Sequence, residues 1–170
     1  MTFPDSINGL DLAAWRARFG AVFEHSPWVA ERAWHERPFR SVDELHRAMA
    51  RAVDQGSREQ QLALVRAHPE LAGREAGEGS LTAASSGEQG RLGFTSLSLA
   101  EFQAMRNLNR RYREKFGFPC IVALSLHAER ASVIAEMERR LGNDGETELR
   151  NALEQIRHIA RGRLERILHG

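Results

Sequence analysis

The sequence is short of several features that commonly define a class of protein. Cys120 is the only cysteine in 170 residues, so the chain forms no internal disulfide and suits a reducing compartment. No apolar run approaches the ~18 residues of a membrane-spanning helix. No basic-then-apolar signal opens the chain, and its last residues, ILHG, are not a Ser-Lys-Leu address. We therefore expect a cytoplasmic protein without a membrane partner.

Lysine is almost absent too, because Lys115 is the only one and all other cationic side chains are arginines. The net charge is +1, which gives no reason to expect nucleic acid as a partner. The histidines are scattered without the spacing of a helical zinc site, and the chain has neither a Walker loop nor a dinucleotide fingerprint. We therefore expect no metal and no cofactor.

Helical periodicity, by contrast, is present along most of the chain. Ser41, Ser57 and Ser98 are each followed three residues later by Glu or Gln, the spacing of a capping box, and Gly117 and Gly142 follow helical runs. No segment alternates as a strand would. The pattern predicts an all-α fold, a single compact multi-helix domain over residues 1–170. Apolar residues recur at helical spacing in three clear sets: Val42, Leu45, Met49, Val53; Phe102, Met105, Leu108, Tyr112, Phe116; and Leu149, Leu153, Ile156, Ala160, Ile167.

The segment RAHPELAG, residues 66–73, ends one predicted helix at an imidazole. Pro69 disfavours helical geometry at the residue before it, so the helix that begins near Ser57 should end at His68. Two interpretations remain open from position alone. His68 is either a polar surface residue that closes a helix, or an imidazole presented to a ligand with Pro69 beside it.

The glycine-rich segment 72–93 interrupts the helices and is predicted to be an irregular functional loop. It carries Ser85, Glu88 and Gln89 in the run SSGEQG. One interpretation is a further capping box from Ser85 to Glu88. The other is a polar site, since a hydroxyl, a carboxylate and an amide together suit a polar heterocycle.

The run KFGFPCI, residues 115–121, predicts that one helix ends at Gly117 and the next begins near Pro119. Such a start would leave the N–H groups of Cys120, Ile121 and Val122 available to an anion or a carbonyl oxygen. The alternative is an ordinary corner between helices, with the aromatic residues in the core. Phe118 is the fourth candidate ligand contact in this segment.

An arginine falls within the apolar stripe of the last predicted helix. On a helical wheel Arg163 lies among the apolar residues, whereas Arg161 lies near the opposite face. A charge on a buried stripe needs a partner, so Arg163 should meet a carboxylate. That carboxylate belongs either to a ligand or to the protein itself, as in an ion pair with Glu88 or another acid. The remaining alternative is an arginine whose head group extends past the helix end into solvent.

Several motifs together resemble the OHCU decarboxylase family, the 2-oxo-4-hydroxy-4-carboxy-5-ureidoimidazoline decarboxylases that end the conversion of urate to allantoin. They are HPELAG, SSGEQG, NRRYREKFGFP and the C-terminal ALEQIRHIARGRLERI, in the order that the family shows them. The resemblance covers roughly residues 19 to 168. It implies an all-helical, cofactor-free homodimeric enzyme that acts on a small ureidoimidazoline.

The resemblance also implies roles for individual residues. His68 is similar to the family's catalytic histidine and Glu88 to its carboxylate partner. Ser85 and Gln89 are similar to groups that bind the substrate ring, and Arg163 to an arginine that binds substrate, with Arg161 as the alternative if the alignment slips. The family usually has an aromatic or aliphatic residue after FGFP, where this chain has Cys120.

The implied reaction is the loss of carbon dioxide next to a ring C=N bond, with His68 moving the proton. The alternative from another class is a helical module of the same fold that binds a ligand or a protein without decarboxylase activity. In that case His68 and Ser85 are helix caps and Arg163 is an internal ion pair. A hydrolase of ureides is a weaker alternative, because the sequence shows neither a metal site nor paired carboxylates to activate water.

Overall fold

A computed structural model describes residues 5–169, with the side chain at position 75 outside the description. Residues 1–4 and 170 also lie outside the description. The expectation of a cytoplasmic protein rests in part on these terminal residues. The described chain is helical with no strand, which confirms the all-α prediction. A 3₁₀ helix spans Leu124–Leu126. The α-helices are α1 (Asp5–Asn8), α2 (Leu12–Phe19), α3 (Trp28–Trp34), α4 (Val42–Asp54), α5 (Arg58–Ala67), α6 (Arg74–Glu78), α7 (Ala83–Arg91), α8 (Leu99–Phe116), α9 (Arg130–Arg140) and α10 (Gly145–His169).

The predicted helix boundaries are confirmed where a side chain caps the helix. Ser41 accepts a hydrogen bond from the backbone of Glu44 at the start of α4. Ser57 and Gln60 exchange two such bonds before α5, and Ser98 forms a complete capping box with Glu101 at the start of α8. These bonds satisfy N–H groups that a helix leaves unpaired in its first turn.

The segment 72–93 is more regular than predicted. It contains two short helices, α6 and α7, instead of an irregular loop. Gly87 and Gly90 lie inside α7, where glycine costs helix stability. The hydroxyl of Thr82 caps this helix, so its start is marked by a residue three positions before Ser85.

The helices group into two compact units. Within the described residues, the first unit covers the chain up to Ala67 together with the C-terminal part of α10 from Ala160 onward. Its core contains Trp15 and Phe19, whose ring centroids lie 4.6 Å apart, and the indole of Trp15 donates to the carbonyl of Ala30 at 2.8 Å. These aromatic side chains are buried completely.

The second unit covers His68–Ile159 and contains nine of the ten candidate site residues. Its core is built on Tyr112 of α8, which packs against Phe116 and Phe118 with centroid distances of 4.6 and 6.1 Å. In the described part of the chain, no helix has the length and apolar character required to cross a bilayer. Its histidine, cysteine and carboxylate side chains form no group of three that could hold a metal ion.

Candidate active site

The loop that follows α5 begins with His68, as predicted. Helix α5 ends at Ala67, and Pro69 follows the histidine. The side chain of His68 is only 7% exposed, so the interpretation as a solvated helix end is wrong. The loop turns sharply, and Ala72 adopts a left-handed φ of 49°. A buried imidazole at the start of a strained loop requires the loop to be held by other groups.

Two amide side chains hold this loop. Gln89 of α7 accepts a hydrogen bond from the backbone N–H of Ala72 at 2.9 Å and donates to the carbonyl of Glu70 at 3.2 Å. Asn109 of α8 donates to the carbonyl of Leu71 at 2.9 Å. Both amides are buried, at 3% and 4% exposure, so water competes weakly for these bonds. The loop after His68 is therefore fixed by side chains from two helices.

Gln89 has a structural role in addition to the ligand contact predicted for it. The resemblance implied that its amide binds the substrate ring, whereas both its oxygen and its nitrogen are bonded to loop backbone. Direct ligand binding by Gln89 stays a prediction, and the contacts add a positioning role. Asn109 was missed, although it lies at helical spacing from the buried Met105 and Tyr112, where a polar residue indicates a buried hydrogen bond.

Helix α7 positions the remaining polar candidates. Ser85 and Gln89 are one helical turn apart and both are buried, while Glu88 is half-buried. Because Thr82 is the N-cap and Ser85 lies within the helix, the capping-box interpretation of Ser85 and Glu88 is wrong. His68, Ser85, Glu88 and Gln89 thus belong to the same compact unit.

The prediction of a helix start at Pro119 is wrong. Gly117 ends α8 with a φ of 75°, as expected, but residues 119–123 then form neither helix nor turn before the 3₁₀ helix at Leu124–Leu126. The physical reason is burial, because the six consecutive residues 118–123 are all buried and cannot all face the core from one side of a helix. Five of these side chains are at most 4% exposed: Phe118, Cys120, Ile121, Val122 and Ala123.

A buried ionic cluster lies beside this segment. Arg140 of α9 pairs with Glu148 of α10 at 3.0 Å, and both side chains are at most 1% exposed. The hydroxyl of Tyr112 donates to the same carboxylate, as do the amides of Asn143 and Asn151 at 2.9 Å. Arg140 also donates to the carbonyl of Ile121 at 2.5 Å. The carboxylate is thus fully occupied by protein donors.

The cluster and its burial set the protonation of neighbouring groups. Burial raises the pKa of the Cys120 thiol to about 12, so this side chain is a neutral thiol at physiological pH. Burial also raises the pKa of Tyr112. Burial opposes ionisation of Glu148, but hydrogen bonds from Arg140 and Tyr112 outweigh it and lower the pKa of that carboxyl. Cys120 is therefore suited to packing and not to nucleophilic chemistry.

Arg163 lies in the first unit, and its predicted carboxylate partner is present there. Its guanidinium pairs with Glu24 at 2.7 Å and donates to the carbonyl of Val22 at 3.3 Å. Arg163 and Glu24 are 3% and 2% exposed. The wheel argument is confirmed, since Arg161 is about one-third exposed and pairs with Asp43 and Glu165. The substrate-binding role that the resemblance gave to Arg163 stays a prediction.

An open cavity of about 760 Å³ lies on the side of the second unit formed by α6 and α8. Four arginines line it, three of which are paired: Arg74 with Glu78, Arg110 with Glu114 and Arg113 with Glu70. None of the ten candidate site residues lines this cavity. We therefore place the candidate chemistry at the buried loop of His68 and not in this cavity.

Comparison with known proteins identifies the family of the chain. The family model for OHCU decarboxylase matches residues 8–165. The 2-oxo-4-hydroxy-4-carboxy-5-ureidoimidazoline decarboxylase of Haloferax volcanii is 46% identical over 158 residues, which cover 93% of this chain and 91% of that protein. The mouse protein of the same name is 38% identical over 162 residues, covering 95% of this chain and 90% of the relative.

A solved structure adds a comparison of the fold. The crystal structure of (S)-allantoin synthase matches with a TM-score of 0.76 and 28% identity. The match covers 96% of this chain and 53% of that chain. The helical architecture and the sequence motifs thus lead to the same assignment. The protein belongs to the OHCU decarboxylase family.

Proposed function

We propose that this protein decarboxylates 2-oxo-4-hydroxy-4-carboxy-5-ureidoimidazoline to (S)-allantoin, the third step of urate degradation, without a cofactor. The observation that carries the proposal is the match of the family model to residues 8–165. This range contains every residue that the motifs nominated for the site. The protein is accordingly a carboxy-lyase.

The chemistry requires no external electron sink. The substrate carries its carboxylate and a hydroxyl on one ring carbon, next to a ring C=N bond. When the bond to the carboxylate breaks, its electron pair moves towards the C=N bond and carbon dioxide leaves. The enol-like intermediate then takes a proton on one face of the neighbouring carbon. The protein must therefore orient the ring and move a proton, which side chains can do alone.

His68 is the residue that we propose as the acid–base group. It would take the hydroxyl proton and help to return a proton to the neighbouring carbon. The loop held by Gln89 and Asn109 supports this role, because a general acid–base works only within hydrogen-bond reach of the reacting atom. Glu88 would orient the imidazole or hold ring N–H groups, and Ser85 would bind the ring.

We further propose that residues 1–170 act as one OHCU-decarboxylase-like domain and that the enzyme is a cytoplasmic homodimer. The family resemblance supports the dimer, and the single buried Cys120 supports a reducing compartment. Light scattering coupled to gel filtration tests the dimer. A mass of about twice the 19.2 kDa of one chain is expected, and a mass of 19.2 kDa at assay concentration would remove it.

Circular dichroism of allantoin formation tests the function. Urate is oxidised and its first product hydrolysed in the cuvette, with this protein added or omitted. Because the uncatalysed path gives racemic allantoin, the expected result is a rapid signal of one sign only when the protein is present. A trace identical to the blank would remove the decarboxylase assignment for this substrate.

A further inference from the structure

The open cavity beside α6 and α8 is lined by more positive than negative charges. Four of the side chains that line it are arginines, and two are the glutamates Glu70 and Glu78. Within the described part of the chain Arg106 forms no ion pair, and its guanidinium lies 6.0 Å from the ring centroid of Phe102. Arginine binds carboxylates and phosphates through a planar fork of N–H donors. The lining is therefore suited to a small anion.

Three of the arginines follow one face of α8. Arg106, Arg110 and Arg113 occupy successive turns, so they lie within about 10 Å of one another along the helix axis. Such a row can hold an anion that carries more than one negative charge. The cavity of about 760 Å³ is large enough for a molecule of the size of pyrophosphate or citrate.

One of these arginines also holds the loop that follows His68. Arg113 pairs with the side chain of Glu70, whose backbone carbonyl accepts the hydrogen bond from Gln89 at 3.2 Å. The loop is tightly packed here, since a Cβ at Gly73 would lie only 2.6 Å from the Cβ of Glu70. Glu70 thus connects the two features, because its side chain lines the cavity and its backbone belongs to the loop.

The ion pair of Arg113 and Glu70 is open to competition. The side chain of Arg113 is 58% exposed and that of Glu70 is 16% exposed. Because an ion pair near the surface contributes little free energy, an anion with two or more charges can replace the Glu70 carboxylate at Arg113. The loop then loses its side-chain contact with α8 at Arg113, while Gln89 and Asn109 still bind its backbone.

We propose that this cavity is an inhibitory site for a small anion with two or more negative charges, a phosphate ester or a polycarboxylate, which acts on the His68 loop by displacing Glu70 from Arg113. The inference rests on the proposed function for the activity that is inhibited. The cavity is separate from the active site, since none of the candidate site residues lines it. Binding there therefore lowers kcat through the loop and leaves KM almost unchanged.

Steady-state kinetics with pyrophosphate test the site. At constant ionic strength, kcat of the parent should fall roughly 3- to 10-fold at saturation, as for a slightly misplaced catalytic group, without a change in KM. Arg106→Gln should raise the half-inhibiting concentration roughly fivefold. Arg111→Gln is the matched control, because Arg111 is an exposed arginine of α8 that does not line this cavity, and it should leave that concentration unchanged.

Two kinetic outcomes would overturn the proposal. A rise in KM at constant kcat would mean that pyrophosphate competes with the substrate in the active site. Inhibition of the same size by sodium chloride at equal ionic strength would mean that charge screening, and not a bound anion, slows the enzyme.

A carboxylate placed in the cavity gives a second test that leaves every arginine intact. Gly77 of α6 lines the cavity, and a Cβ there would meet no heavy atom of the described residues within 4 Å beyond its own helix and neighbours. Gly77→Asp should make the enzyme insensitive to pyrophosphate, and Gly77→Ala is the control that adds a Cβ without the charge. Equal sensitivity of the two variants would contradict the site. A parallel titration with citrate shows whether phosphate or carboxylate groups bind at the lower concentration.

Backbone NMR supplies a measurement that does not depend on turnover. On addition of pyrophosphate, the amide signals of Glu70 and Gly73 should shift in the parent and in Gly77→Ala, but not in Gly77→Asp. If these signals do not move in the parent, the proposed site is wrong even when the enzyme is active. If they move but the parent forms no allantoin, the proposed function fails while the anion site stands.

Discussion

The side-chain oxygen of Gln89 lies 2.9 Å from the backbone nitrogen of Ala72, and its nitrogen lies 3.2 Å from the carbonyl oxygen of Glu70. One amide from α7 therefore closes the turn that follows His68. The contact joins two motifs that are 17 residues apart in the chain. The second motif therefore supports the backbone of the first.

Removing this amide should loosen the His68 loop. Gln89→Leu leaves a buried N–H and a buried C=O without partners, which should lower the free energy of unfolding by about 2–4 kcal/mol. The activity should fall as well, because the loop that carries the imidazole is no longer fixed. Urea denaturation and the allantoin assay measure the two effects. Gln103→Leu, at an exposed amide of α8, is the matched control and should change neither.

Ala72, the residue of this loop with left-handed backbone angles, should tolerate substitution by glycine unusually well. Ala72 has a φ of 49°, a conformation that glycine adopts without steric cost, whereas Ala33 lies inside α3 and is also buried. Ala72→Gly should therefore be less destabilising than Ala33→Gly by about 1 kcal/mol. Chemical denaturation of both variants gives this difference. An equal loss in the two would contradict the strained geometry at Ala72.

The buried thiol predicts a pH dependence of stability. Burial raises the pKa of Cys120 from its ordinary 9.0 to about 12, so the unfolded chain loses this proton at a lower pH than the folded protein. The associated stability is complete below pH 9 and is lost as the pH rises towards 12, with a slope of up to about 1.4 kcal/mol per pH unit. Urea midpoints at pH 8, 9 and 10 should fall for the parent. In Cys120→Ala the contribution of the thiol to the fall in urea midpoint between pH 9 and 10 should be absent. A fall as steep as that of the parent would contradict the raised pKa of Cys120.

Neutralising the carboxylate should cost far more stability in the buried pair of Arg163 and Glu24 than in the exposed pair of Arg161 and Asp43. Glu24→Gln removes the carboxylate charge that lies 2.7 Å from a buried guanidinium, which should cost about 3–5 kcal/mol of stability. Asp43 is fully exposed, so Asp43→Asn should leave the denaturation midpoint almost unchanged. Similar midpoints for the two variants would mean that the buried pair is not a structural requirement.

The sequence was sufficient for features that depend on local chemistry. Capping at Ser57 and Ser98, the helix end at Gly117 and the buried Arg163 follow from spacing alone, and the structure confirms them. The residue Arg140 carried the same signal as Arg163, since it lies at helical spacing from the buried Val133 and Met137.

Other features depend on contacts between distant segments. Pro119, two residues after Gly117, is compatible with either a helix start or an extended chain. Burial of residues 118–123 favours the extended chain. Likewise, Ser85 and Thr82 both have the chemistry of an N-cap, and spacing alone does not select between them. The sequence predicts Glu88 or another acid as the partner of Arg163, and the partner is Glu24, 139 residues away in the chain. Local pattern carries no information about such separations.

The most direct measurement compares stereospecific allantoin formation by the parent protein, His68→Gln and His158→Gln. His158 is an exposed histidine of α10 and serves as the control for the loss of an imidazole. We expect a dichroic signal of one sign for the parent and for His158→Gln, with a rate about 10²–10⁴-fold lower in His68→Gln. A parent trace equal to the blank, or an undiminished rate in His68→Gln, would contradict the account of this site.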